Sequence, residues 1–279
     1  MTYQNTILGK IIDSKKEEVS SAKFRISLKD MKSRSKDAAK ALDFAAHLNP
    51  DSFRSELPQT RIIAEIKKAS PSGGLIRELF QPDRIAQEYI DAGASALSVL
   101  TDGPFFQGSL DDFDSVRAVS KRPLLRKDFM IDEYQIYEAR THGADCILAI
   151  VAVLEPSRLA DFCGLAEDLG MATLVEVHDE LELQTALNVG ASQGVGATHA
   201  SPLLGINNRN LKTLKTDLST TEKLLPKIPP HRLVVSESGL KTRMDIERMM
   251  KAGAKAFLIG EHLLKEKNLG KKFKEMIGM

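Results

Sequence analysis

RIIAEIKKASPSGG, residues Arg61 to Gly74, starts as an apolar strand, takes up an acid and two lysines, and breaks into a Ser-Pro-Ser-Gly-Gly loop. Ile62, Ile63, Ala64 and Ile66 call for burial, while Glu65 and Lys67 share one parity and so point to one side of the strand. Ionised groups on a buried face cost free energy unless they are paired. A structural ion pair and a functional pair are both open at this point, because each perturbs ionisable groups. The other strands must separate them.

Downstream, a unit repeats. Gly-Ala pairs stand at Gly93-Ala94, Gly143-Ala144, Gly190-Ala191 and Gly253-Ala254, each closing a helical pattern, and three lead into the apolar runs ALSVL, CILAI and AFLIG. Each reads as a helix stop followed by a strand start. Further strands are expected at Pro123 to Phe129, Ala172 to His178, Leu203 to Arg209 and Leu233 to Ser238. With the opening strand the set is eight, near-continuously apolar and alternating with helices, which predicts a (β/α)₈ TIM barrel. A doubly wound sheet would have fewer strands and a glycine-rich first turn. The last Gly-Ala interval is longer than the others, and SQGVGATHASPLL after Ala191 reads as a tolerated surface insertion on the face that serves stability.

Upstream, Ile7 to about Leu48 is charged and helical in pattern, with Leu8, Ile11, Ile12 and Val19 at three- and four-residue spacings. We read residues 1–50 as a helical arm on a barrel core spanning 61–279, the whole of 1–279 forming one domain. Length and composition agree: 279 residues, 42% hydrophobic and 28% charged, are ordinary for a folded protein with a sizeable core. The longest apolar run, Cys146 to Leu154, is far too short for a membrane span, and the first residues lack the apolar core of a signal peptide, so the expected location is the cytoplasm. Cys146 and Cys163 suit neither a disulfide framework nor a metal site. Residues 1–40 hold ten Lys/Arg against five Asp/Glu, and Lys265 to Met279 five against two, so the middle of a chain of net charge +1 is acidic. That balance, with no Trp and 4 Tyr, argues against a nucleic-acid surface, and the basic ends read as solvated helix faces.

Barrel strands point one parity inward, and residues near their C-terminal ends reach the mouth. Glu65 follows Ile63 in phase, Lys127 follows Leu125, Glu176 follows Leu174, Asn207 follows Gly205 and Glu237 follows Val235. Lys67 and Arg209 extend the same parity, so seven polar groups from five strands converge on one place. Apolar side chains would serve structure as well there, which makes an active site the stronger reading. Glu237-Ser238-Gly239 closes the seventh strand and Ile259-Gly260 the eighth, where barrels commonly bind phosphate through backbone N–H groups. The Ser70 to Gly74 loop reads as a movable rim over a phosphorylated small molecule, with Gly73-Gly74 as its hinge.

The segments IIAEIKKASPSGG, LLRKDF, LVEVH, GINNRNL, VSESGL and FLIGEHLL resemble, in order and spacing, the indole-3-glycerol-phosphate synthases of tryptophan biosynthesis. The resemblance covers the arm as well. It implies a carbon–carbon lyase that closes, decarboxylates and dehydrates 1-(2-carboxyphenylamino)-1-deoxyribulose 5-phosphate to indole-3-glycerol phosphate, without cofactor or metal. Other tryptophan-pathway enzymes would be its class of protein partner. By the same resemblance the catalytic lysine falls at Lys127, a second lysine at Lys67 and a catalytic glutamate at Glu176, with Glu65 and Asn207 in support. Arg209, Glu237, Ser238 and Ser70 fall at substrate-binding positions, as do Phe106, Phe129 and Leu148 around the aromatic ring. Phosphate contacts fall at Gly239, Gly260 and the residue after it, Glu261, where some relatives have Ser. A carboxylate there should repel phosphate unless it points outward, leaving the backbone N–H as the donor.

The chemistry asks for such groups. Attack of an aromatic carbon on a ketone needs an acid at the carbonyl oxygen, and Lys127 is the expected one. Lys67 would orient the carboxylate lost as carbon dioxide, and Lys67 with Glu176 would serve dehydration, in a cluster that titrates as a coupled set. Two other classes stay open on the residues. One is a different phosphate-binding barrel such as a phosphoribosylanthranilate isomerase, which would want a Cys or Asp pair at the mouth, whereas Cys146 begins its strand at the opposite end. The other is a non-catalytic barrel whose lysines neutralise a phosphorylated ligand.

Overall fold

The computed structural model describes residues 6–52, 57–192, 203–211 and 213–279. The eight expected strands are present: β1 Arg61–Ile66, β2 Ala96–Leu100, β3 Leu124–Lys127, β4 Cys146–Ile150, β5 Ala172–Val177, β6 Leu203–Asn207, β7 Val234–Glu237 and β8 Ala256–Ile259. They pair in parallel in chain order, and β1 meets β8 through Arg61↔Ala256 to Ala64↔Ile259, closing the barrel. Inward parity builds a core from Ile63, Leu125, Cys146, Leu148, Leu174, Val235 and Leu258. The other parity, including Ile62, Ala64, Leu97, Ile147 and Phe257, packs under the helices in a second cluster. The two faces of each strand are thus both buried, as the near-continuous apolar runs require.

The arm is three helices rather than one continuous pattern: α1 Ile7–Arg25, α2 Leu28–Lys36 and α3 Phe44–Leu48. Side-chain caps explain the breaks. Ser27 accepts from the N–H of Asp30, and Asp43 from that of Ala46, so each restarts a helix where the previous one has ended. The remaining helices are α4 Pro82–Asp91, α5 Gly103–Phe106, α6 Leu110–Val119, α7 Glu133–Thr141, α8 Pro156–Asp168, α9 Glu180–Ser192, α10 Ser219–Leu224, α11 Arg243–Ala252, α12 Glu261–Leu264 and α13 Leu269–Ile277.

Gly93, Gly143 and Gly253 follow α4, α7 and α11 with positive φ, the left-handed stop expected of them. Gly190-Ala191 differs, because α9 runs through it to Ser192. The helix period there continues past the glycine, a cost that a helix packed along a barrel can carry. Most of the insertion that follows, residues 193–202, lies outside the described residues.

α1 lies across the strand ends, and its anchor overturns one expectation. Lys15 is not on a solvated face but is wholly buried, its Nζ 2.8 Å from Asp128 Oδ1, 3.2 Å from Asp102 Oδ2 and 2.8 Å from Glu18 Oε2. The buried side of α1 is Leu8, Ile11, Lys15, Val19 and Ala22, one residue per turn, so the lysine occupies an apolar stripe because barrel carboxylates meet it there. Asp128 also pairs with Arg126, which reaches Glu138, and Tyr134 donates to the Ala22 carbonyl.

Candidate active site

At the C-terminal ends of the strands lies a cavity of about 510 Å³, the size of a small-molecule site. One wall is apolar: Ile7, Leu8 and Ile11 of the arm face Phe106, Phe129 and Leu148 of the barrel. The Phe106 and Phe129 rings tilt against each other with centroids 6.1 Å apart. The opposite end is lined by Ser238, Gly239, Ile259 and Gly260. An aromatic ring and a phosphate would therefore find separate ends of the cavity.

Between them stand the charges. Lys127 is the last residue of β3, and its Nζ lies 2.6 Å from Glu237 Oε2 and 3.4 Å from Glu176 Oε2. Burial alone would lower its pKa, but Glu237, Glu176 and Glu65 outweigh burial and hold the ammonium firmly protonated. For Glu176 burial acts in the neutralising direction, and Lys127 with His178 overcomes it, keeping the carboxylate ionised. Glu237 goes the other way: burial and the neighbouring Glu176 charge raise it to about 7 despite Lys127. Two carboxylates around one lysine are thus driven apart in protonation.

The floor is shaped by what the strands lack. A Cβ on Gly205 would collide with Glu237 Oε1, so a glycine in β6 is what lets that carboxyl sit under Lys127. Asn207, two residues on, donates from Nδ2 to Glu176 Oε1 at 3.1 Å and accepts the Arg209 N–H through Oδ1 at 3.0 Å. At the end of β1, Glu65 pairs directly with Lys67 just beyond the strand, and a Cβ at Gly260 would collide with Glu65 Oε1.

The Ser70 to Gly74 loop is more ordered than a bare glycine hinge. Ala69–Ser70 and Gly74–Leu75 form a two-residue antiparallel ladder, and Gly73 N–H donates to Ser70 Oγ at 3.0 Å. Arg209 Nη1 donates to Ser72 Oγ at 2.6 Å, tying the loop to the β6 side. At the phosphate end, Ser238 and Gly239 both take positive φ, 64° and 86°. A non-glycine residue there is uncommon and costs on the order of 1–3 kcal/mol, a strain that usually accompanies function.

Of the residues expected to act in catalysis or to bind substrate or phosphate, all but Glu237 line the cavity: Glu65, Lys67, Ser70, Phe106, Lys127, Phe129, Leu148, Glu176, Asn207, Arg209, Ser238, Gly239, Gly260 and Glu261. Glu237 lies beneath the floor and meets Lys127 instead. Glu261 does not point away from the cavity. Its charge is answered by Lys265 at 2.7 Å and Arg209 at 3.6 Å, and these with Lys67 hold its pKa down in spite of burial. Repulsion of a phosphate is reduced by pairing rather than by direction.

Three contributors escaped the strand reading. The arm's Ile7, Leu8 and Ile11 were legible as an apolar stripe but not as a cavity wall. Asn208, of opposite parity to Asn207, is buried and donates from Nδ2 to the carbonyls of Glu237 and Ser238 at 2.9 and 3.1 Å, fixing the β7 end. His178 sits two residues past Glu176 with its Nε2 3.2 Å from Glu176 Oε1, and shared parity was the signal for it.

The family model for indole-3-glycerol phosphate synthase matches residues 8–276. The indole-3-glycerol phosphate synthase of Rhodospirillum rubrum is 47% identical over 98% of this chain and 99% of its own length, and that of Laribacter hongkongensis 46% over 95% and 96%. Among solved structures, 3-hexulose-6-phosphate synthase from Salmonella typhimurium superposes with a TM-score of 0.61 at 9% identity, covering 78% of this chain and 97% of that one. A mutant tryptophan synthase alpha-subunit from Pyrococcus furiosus gives 0.58 at 16%, covering 80% and 100%, and such distant matches speak to the fold alone. With the family model spanning residues 8–276 and relatives at 46 and 47% identity over nearly the whole length of both chains, the chain belongs to the indole-3-glycerol phosphate synthase family.

Proposed function

We propose that this mouth carries out the family's reaction, converting 1-(2-carboxyphenylamino)-1-deoxyribulose 5-phosphate to indole-3-glycerol phosphate, carbon dioxide and water, with Lys127 as its central acid. The observation that carries this reading is the Lys127 ammonium, held by Glu237 and Glu176 at the cavity floor between an apolar wall and a glycine-lined end. The substrate aromatic ring would lie against Phe106, Phe129, Leu148 and the arm, and the phosphate at Gly239, Gly260 and the Glu261 N–H, with Ser238 and Ser70 beside it.

In this pose an aromatic carbon bonds to the ketone carbon, and the carbonyl oxygen takes a proton from Lys127. An alkoxide is a far stronger base than an amine, so even a firmly held ammonium proton moves downhill to it. The carbon–carboxylate bond then breaks, carbon dioxide leaves, and its electron pair restores the aromatic ring. Lys67, paired with Glu65, orients that carboxylate beforehand and then protonates the departing hydroxyl as water forms. Glu176, kept ionised, receives the proton lost from the new ring, while Asn207 and Arg209 hold the groups around it.

The same reading takes 1–279 as one working domain in the cytoplasm, since arm and barrel wall one cavity. No helix among the described residues is long and apolar enough to cross a membrane. Supplying the carboxyphenylamino-deoxyribulose phosphate and following indole fluorescence tests the proposal. A signal that saturates with substrate is expected, and a folded protein that gives none overturns it.

A further inference from the structure

Behind Glu176 stands a group the mechanism has not used. His178 Nδ1 is 2.9 Å from Glu182 Oε2, and that same oxygen accepts the His178 backbone N–H at 2.8 Å, so the ring is clamped from the α9 side. Asp179 accepts the Glu182 N–H at 3.0 Å and fixes the clamp in turn. The other ring nitrogen faces Glu176 Oε1 at 3.2 Å, an ion-pair contact rather than an aligned hydrogen bond. Both nitrogens therefore look at carboxylate oxygens. A bare lone pair at either would be repelled, so the ring carries both protons and is an imidazolium. Its burial acts against that charge, but the contacts with Glu176 and Glu182 prevail and raise its pKa to about 10.

The consequence falls on Glu176 and on Glu237. Glu176 Oε1 is taken by His178 and Asn207, which leaves Oε2 for Lys127 and the substrate. Glu237 Oε1 is buried against Gly205 with no hydrogen-bond partner among the described residues, a setting that favours a neutral carboxyl. Of the two acids flanking Lys127, one is surrounded by donors and the other is not.

We propose that His178, clamped by Glu182, is a positioning residue that makes Glu176 the ionised member of the pair around Lys127 and aims its Oε2 into the cavity. The inference deepens the proposed function and rests on Glu176 as the reaction's base. Without the imidazolium, Glu176 and Glu237 compete for one proton, and Glu176 is ionised in a smaller fraction of molecules near neutrality.

Two measurements on the full chain test this separately. In protein labelled with ¹⁵N-histidine, the His178 signals, identified by their loss in His178→Gln, should show both ring nitrogens protonated at pH 8. A neutral ring with one bare nitrogen overturns the proposal, whatever the protein's activity. In steady-state assays with the carboxyphenylamino-deoxyribulose phosphate, His178→Gln should lower kcat about tenfold at pH 7 with KM nearly unchanged, and move the acid limb of kcat to higher pH. Glu182→Gln should shift that limb the same way by less. Reduced activity with an unmoved pH profile in a folded His178→Gln protein marks a merely structural residue and overturns the proposal. An inactive wild type would refute the functional reading, while the ring-nitrogen signals still decide the state of His178.

Discussion

Lys15 and Lys127 are both buried ammonium groups held between carboxylates, and they flank the same short segment, since Asp128 pairs with Lys15 and follows Lys127 in the chain. Lys15 is sealed, with no side-chain exposure, among Asp102, Asp128 and Glu18. Lys127 keeps 13% of its side chain open to the cavity, above Glu237 and beside Glu176. Burial works against both charges and the carboxylates outweigh it in both, so neither burial nor pairing tells a working group from a scaffolding one. Access to a cavity does. Partner quality differs too: Asp128 is driven down by Lys15 and Arg126 against its burial, whereas Glu237 is left at about 7. Beside Lys15 a carboxylate is held ionised, whereas beside Lys127 one carboxyl is pushed toward its neutral form.

The largest effect expected to separate the two is on turnover. Lys127→Ala should lose ~10²–10⁴ in kcat with folding intact, because Glu237 can keep its proton and the cavity admits water to Glu176. Lys15→Met should do the reverse. It leaves Asp102 and Asp128 without their shared cation and should cost about 3–5 kcal/mol in denaturant unfolding. Its KM should rise as Ile7, Leu8 and Ile11 loosen, with kcat within a few-fold of wild type. Gly205→Ala puts a methyl group into Glu237 Oε1 and should cost about 1–3 kcal/mol with a measurable drop in kcat, by pushing the carboxyl out from under Lys127.

The smallest effect concerns pH. The His178 pKa is raised from 6.5 to about 10 in the folded protein, so its contribution to stability is complete below about pH 6.5 and disappears as pH climbs through about 10. The stability difference between wild type and His178→Gln should therefore shrink over that interval in urea titrations at successive pH values. A constant difference would mean that the ring is not charged.

The period-2 reading of the strands located the mouth because inward residues had to be apolar until they reached it. Glu65, Lys127, Glu176, Asn207 and Glu237 are all in phase with core residues, and the barrel leaves them no other side. That logic does not extend to depth, so Glu237 beneath the floor and Glu176 on it looked alike. Lys15 was missed although it falls on the stripe of Leu8, Ile11, Val19 and Ala22, where a charge is out of place. What would have flagged it is a carboxylate on a different element, which no local pattern contains. His178 shares the parity of Glu176 and was passed over as the end of a strand, for its meaning depends on Glu182 folding back from the next helix. The direction of Glu261 was equally a matter of partners, Lys265 one turn on and Arg209 just past β6.

The division of labour between the two lysines is tested most directly by measuring kcat and unfolding free energy for Lys127→Ala and Lys15→Met side by side in one buffer. A crossed result is expected, with turnover lost by ~10²–10⁴ in the first and stability lost by about 3–5 kcal/mol in the second. Near-normal turnover in a folded Lys127→Ala protein would contradict it.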